Sequence, residues 1–97
     1  MKQKRFDEYA KKIAKEFNIP KKLLFMKNKK RELVDARHIL YLVCFKKDFQ
    51  LATIERLMFS YGYKINHPSI IHGIKKMNEK IKEDADYKQL IEDICTN

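Results

Sequence analysis

Residues 66–76, Asn66-His67-Pro68-Ser69-Ile70-Ile71-His72-Gly73-Ile74-Lys75-Lys76, combine a helix start signal with two differently equipped faces. Asn66 suits the N-cap, because its side-chain oxygen can accept from a free amide one turn on, and Pro68 falls in the first turn, where a missing N–H costs nothing. Ile70, Ile74, Met77 and Ile81 then recur at i, i+4, i+7 and i+11, one apolar stripe facing a core. Ser69, His72, Lys75, Lys76 and Glu79 stay on or near the opposite face. Short donors and acceptors followed by lysines suit a helix that reads base edges in a major groove and anchors on phosphate. A solvated amphipathic helix has the same pattern, so the reading depends on the rest of the chain.

Working outward, Leu51, Ile54, Leu57 and Met58 mark a preceding helix that ends near Ser60, and Tyr61-Gly62-Tyr63-Lys64-Ile65 is the connector. Gly62 suits the left-handed position after a helix end. Helix, turn, helix is the resulting motif. Glu32 to about Lys47 is apolar nearly all round in its second half, which predicts a central helix on which the others pack. Arg37 and His38 lie on its more polar N-terminal half. Before it stands Lys27-Asn28-Lys29-Lys30-Arg31, five polar residues that must face water or phosphate. Phe6, Tyr9, Ala10, Ile13, Ala14 and Phe17 predict an amphipathic first helix over 5–17, broken at Asn18-Ile19-Pro20, and a short second helix reaches about Met26. The recognition-type helix should run to about Glu83, followed by a last helix with Tyr87, Leu90, Ile91 and Ile94 on one face.

The expected fold is therefore all-α, a five- to six-helix single domain over 1–97 with its core at about 6–95. Only two glycines and two prolines among 97 residues favour helices over turn-rich sheet. Charge is divided unevenly: residues 1–47 hold 15 Lys/Arg against 5 Asp/Glu, a net of +10, and residues 48–97 hold 7 against 8, a net of −1. A basic half favours a polyanionic partner, nucleic acid before membrane. No apolar run approaches the roughly 18–20 residues of a membrane span, and the first residues lack a leader's apolar core, so a cytoplasmic protein is expected. Cys44 sits in an apolar run, and neither it nor Cys95 has a Cys or His at ligand spacing; reduced thiols and no metal or cofactor are expected. Catalysis is not expected either. His67 and His72 are five apart, not on one face with a carboxylate between them, and Asp84, Asp86, Glu92 and Asp93 have no His or Cys constellation near them.

The order "FNI", a short helix, a Lys/Arg loop, "RELVDARHILYL" and "NHPSIIHGIKK" resembles the C-terminal DNA-binding domain of the DnaA family of bacterial replication initiators. That family shows Ala-Arg-Gln or Pro-Arg-Gln on the third helix and Asp-His-Thr-Thr-Val-x-His-Ala at the recognition helix. The resemblance spans about residues 8–95 and implies a Trp-repressor-like helix-turn-helix on double-stranded DNA, with the basic loop at the adjacent minor groove. Carried over residue by residue, it marks Lys27, Lys29, Lys30, Arg31, Arg37, His38, Asn66, His67, Pro68, Ser69, His72, Lys75 and Lys76 as DNA-binding. Asn66 stands for the family's aspartate, Pro68 for its first threonine, His38 for its glutamine, and the turn before Asn66 is about four residues longer. Pro68 removes a hydroxyl and an amide, and Lys29 reads guanine or a narrow minor groove less well than arginine would, so altered or reduced sequence preference is expected. No Gly-rich phosphate loop is present, so no nucleotide is expected, and the chain should act as an accessory or mobile-element factor at origin-like or regulatory sites. The competing expectation is a protein-interaction module that kept the fold, motivated by Pro68, the longer turn and exposure of Tyr61 and Tyr63.

Overall fold

Ile39 through Cys44 are buried without a break, so the helix that carries them has protein on every side. In the computed structural model, which describes residues 1–96, that helix is α2 (Arg31–Lys46). Around it stand α1 (Lys2–Glu16), a 3-10 turn (Lys21–Phe25), α3 (Leu51–Ser60), α4 (His67–Lys80) and α5 (Ala85–Thr96), with no strand among the described residues. All four other helices touch α2, and α4 also packs on α3. The apolar faces close on this axis: Phe6, Ala10 and Ile13 of α1, Ile54, Leu57 and Met58 of α3, Ile70 and Met77 of α4, and Ile91 and Ile94 of α5 are buried. Each fully buried aliphatic or phenyl side chain contributes about 1.5–3 kcal/mol relative to exposure. The all-α expectation holds.

Three helices end in the same way. Asn18 (φ 54°), Asp48 (φ 66°) and Gly62 (φ 85°) each adopt left-handed backbone just past α1, α2 and α3. The amides that follow, of Ile19, Phe49 and Tyr63, bond back to the carbonyls of Ala14, Cys44 and Met58. This satisfies carbonyls that the helix would otherwise leave open. The break after α1 is thus made by Asn18, a residue that tolerates αL, before Pro20 is reached. Two boundaries differ from the sequence reading. Helix α1 starts at Lys2, a turn earlier than the apolar stripe, with Gln3 bonded to Asp7 on its polar face at 3.2 Å. Helix α4 ends at Lys80, where Lys82 and Glu83 tighten onto the carbonyls of Glu79 and Lys80.

A buried carboxylate fastens three helices. Asp35 of α2 accepts from Lys80 Nζ of α4 at 2.7 Å and from the Tyr87 hydroxyl of α5 at 3.0 Å. Buried charge is stable only when it is paired and hydrogen-bonded in this way. Both cysteines are free, Cys44 buried and Cys95 partly so, as the sequence implied.

Candidate nucleic-acid interface

Lys27–Lys30 form an exposed coil between the 3-10 turn and α2, and Arg31 is the first residue of α2. Asn28 shapes the coil, its Oδ1 accepting from the Lys30 amide at 2.8 Å. Arg37 holds it from beneath. Its guanidinium donates to the carbonyls of Met26 at 2.9 Å, Asn28 at 2.6 Å and Leu24 at 3.5 Å, and the residue is only 4% exposed. Arg37, expected at the DNA, lines the groove but turns its guanidinium toward the loop backbone. Three of its N–H groups point at carbonyls of Leu24, Met26 and Asn28, so it shapes the basic loop from inside.

On α4 the N-cap is as expected, Asn66 Oδ1 accepting from the Ser69 amide at 3.0 Å. His67, Pro68, Ser69, His72, Lys75 and Lys76 are exposed, while Ile70, Ile74 and Met77 point inward. His67 is not free-standing: its Nε2 lies 3.0 Å from Glu55 Oε1 of α3. His38 sits half-buried where α2 crosses α4, its ring edge-on to His72 with centroids 6.3 Å apart. Burial holds the His38 imidazole below its ordinary range, with His72, Arg37 and Lys80 adding to that and Asp35 opposing. A neutral His38 ring therefore borders the exposed His72.

The loop and the start of α4, far apart in sequence, face one another across a groove of about 1310 Å³. Lys27, Lys29, Arg37, His38, Asn66, Pro68, Ser69 and His72 all line it. A second cleft, over the α2–α4 crossing, gathers Arg31 and Lys76 with Lys29, His38 and His72. Lys30, His67 and Lys75 are exposed but line neither cleft. The groove also contains residues outside the expected DNA-binding set: Glu55 and Arg56 of α3, and Tyr63 and Lys64 of the connector. The available signal on α3 is Arg56 opposite the apolar stripe, with Glu55 at the stripe's edge. Five cations, Lys27, Lys29, Arg37, Arg56 and Lys64, thus surround one carboxylate, Glu55.

The connector aromatics are not exposed as expected. Tyr61 stacks on Phe25 with centroids 4.3 Å apart and donates to Asp7, and Tyr63 is 9% exposed. The extra length of the turn is therefore packed, Tyr61 against α1 and the 3-10 turn, Tyr63 against the basic loop. Phe59 is the aromatic that stands out, at 65% exposure on the groove rim.

Fold and groove define the class: an all-α domain in which α3, a six-residue connector and α4 form a helix-turn-helix beside a basic loop. The chain is similar to two proteins named chromosomal replication initiator protein DnaA. It is 30% identical to that of Nautilia profundicola over 89 residues, 91% of this chain, and 30% identical to that of Sulfurimonas denitrificans over 82 residues, 84% of it. It spans only about one fifth of those relatives, 20% and 18% of their lengths. This similarity and the all-α fold are consistent with a domain like the C-terminal one of DnaA. No family model matches it, and no solved structure does. No helix among the described residues is long and apolar enough to cross a membrane.

Proposed function

We propose that the chain is a double-stranded DNA-binding domain, reading base edges with the first turns of α4 in the major groove while the basic loop reaches the neighbouring minor groove. The observation that carries this is the cation-lined groove between loop and helix. A protein that engages two adjacent grooves must straddle the phosphodiester strand dividing them, and this groove is where that strand would pass. Lys29, Lys30 and Arg31 supply loop contacts to phosphate; Arg56 and Lys64 line the strand's path; His67, Ser69 and His72 face the bases; Lys75 and Lys76 follow on phosphate. The resemblance to replication initiators suggests origin-like or regulatory sites, used by an accessory or mobile-element factor. Pro68 and the Glu55 carboxylate beside His67 both reduce what α4 can offer to bases, in keeping with an altered site preference.

The test is selection from a randomised duplex pool at two salt concentrations, with the bound DNA sequenced. A sequence motif should emerge and persist at the higher salt, with affinity falling by a log–log slope of about −0.9 per phosphate neutralised. Lys29→Ala should weaken binding to every duplex and make the slope shallower by about 0.9; His67→Ala should also flatten the preference. Absence of binding at both salts would overturn the reading and favour a protein-interaction module.

A further inference from the structure

Tyr63 is the point where the two halves of the groove meet. Its amide bonds to the Met58 carbonyl at 3.0 Å, which fixes it to the end of α3, and the chain runs on from it to the Asn66 cap of α4. Its ring is covered by cations from the other half. The Lys27 ammonium lies over it at 4.1 Å from the centroid and the Arg37 guanidinium at 5.1 Å. Lys27 Nζ also donates to the neighbouring Lys64 carbonyl at 2.8 Å, and the same Arg37 guanidinium grips the carbonyls of Met26 and Asn28. Two kinds of contact thus join loop to connector directly, cation–π and ammonium to carbonyl, and Arg37 of α2 bridges them, its guanidinium over the Tyr63 ring and on the loop carbonyls. Helix geometry within α2 or α4 imposes none of them.

We propose that Tyr63 is a positioning residue whose ring clamps the basic loop in a fixed register with the recognition helix, Lys27 serving as the loop's side of the clamp rather than as a phosphate contact. The inference rests on the DNA-binding reading above and deepens it. Two reading elements held at a fixed separation accept only duplexes in which the preferred major-groove and minor-groove features have that separation. A free loop would find phosphates on any sequence. The clamp therefore contributes to discrimination, while affinity for arbitrary DNA comes from Lys29, Lys30 and Arg31. The ammonium of Lys27, with a carbonyl and a ring as neighbours, keeps its charge near the groove but spends its direction on the connector.

The experiment compares wild type with Tyr63→Phe, Tyr63→Leu and Lys27→Ala. Backbone 15N order parameters of residues 27–30 are measured without DNA, and binding to enriched and scrambled duplexes is titrated across salt. In Tyr63→Leu and Lys27→Ala the loop order parameters should fall from rigid values towards about 0.6 or lower. Discrimination between the two duplexes should drop about five- to tenfold, the fold-change of one or two cation–π contacts, with the salt slope unchanged. Tyr63→Phe keeps the ring and should match wild type in both readouts. Lys27 is exposed, so Lys27→Ala carries the test if Tyr63→Leu loses helical circular dichroism. A slope shallower by about 0.9 in Lys27→Ala would make it a phosphate ligand and overturn the proposal. Unchanged order parameters would overturn it without reference to DNA. Failure of wild type to select any duplex would instead remove the DNA-binding reading, with the order parameters still reporting whether the clamp exists.

Discussion

His38 and Glu55 show how single residues tune this surface. Burial lowers the His38 pKa, so the unfolded chain takes up a proton there at a higher pH than the folded one. The stability that His38 contributes is complete above its unfolded value near 6.5 and is lost as pH falls from there through the lower folded value. Melting temperature should therefore decline between pH 7.5 and 5, and more steeply in wild type than in His38→Gln, which has no proton to bind; parallel declines in thermal melts would remove His38 as the cause. Glu55 is the one carboxylate among the groove's cations, paired with His67 where both are half exposed. An exposed pair of this kind adds about 0.5 kcal/mol or less to stability. On the proposed DNA-binding function its larger effect is on binding. Glu55→Gln should tighten non-specific duplex binding by about two- to fivefold at low salt and leave the melting temperature nearly unchanged, as read by fluorescence anisotropy and calorimetry.

At the scale of elements, the crossing of α2 and α4 depends on a missing methyl. A Cβ at Gly73 would lie 2.6 Å from His38 Cδ2 and 3.0 Å from Tyr41 Cδ2, so the helices meet closely only because position 73 is glycine. Where the resembled family has glutamine and alanine, this chain has His38 and Gly73, and the two touch. Gly73→Ala would gain up to about 1 kcal/mol of helix propensity but force a rigid ring aside, for a net loss of about 1 kcal/mol. Adding His38→Gln replaces the ring with a flexible chain, so the double variant should recover at least wild-type stability in urea melts. A double variant less stable than Gly73→Ala alone would show that Tyr41 is the obstructing group. The helix ends were partly legible. Gly62 and Asn66 declared their roles, whereas Asp48 and Asn18 are ordinary polar residues until the helix beside them is known to stop.

Across the whole molecule, the apolar faces meet at α2 and the polar ties are few. Asp35 joins α2, α4 and α5, and Asp35→Asn leaves the Lys80 ammonium without its partner beside the Tyr87 hydroxyl. The loss should be about 2 kcal/mol, or roughly 10 °C in melting temperature for a chain of this size. A shift under about 3 °C by calorimetry would show that Lys80, a third exposed, finds equal comfort in water. Periodicity alone determined the helices, their order, the central place of 39–44 and the outward face of α4, because a 3.6-residue repeat records which side of a helix meets protein. Composition determined the basic first half and the acidic tail. What tertiary structure decided was which polar residues are free. Arg37 looks like an ordinary cation on a helix and Lys27 like any other of the basic run, yet one grips three carbonyls and the other a tyrosine ring. Tyr61 and Tyr63 look like exposed turn aromatics, yet they pack. Glu55 and Arg56, on a helix read for its core, line the groove. A side chain's hydrogen-bond partner here often lies ten to fifty residues away along the chain, and local pattern carries no record of such a pairing.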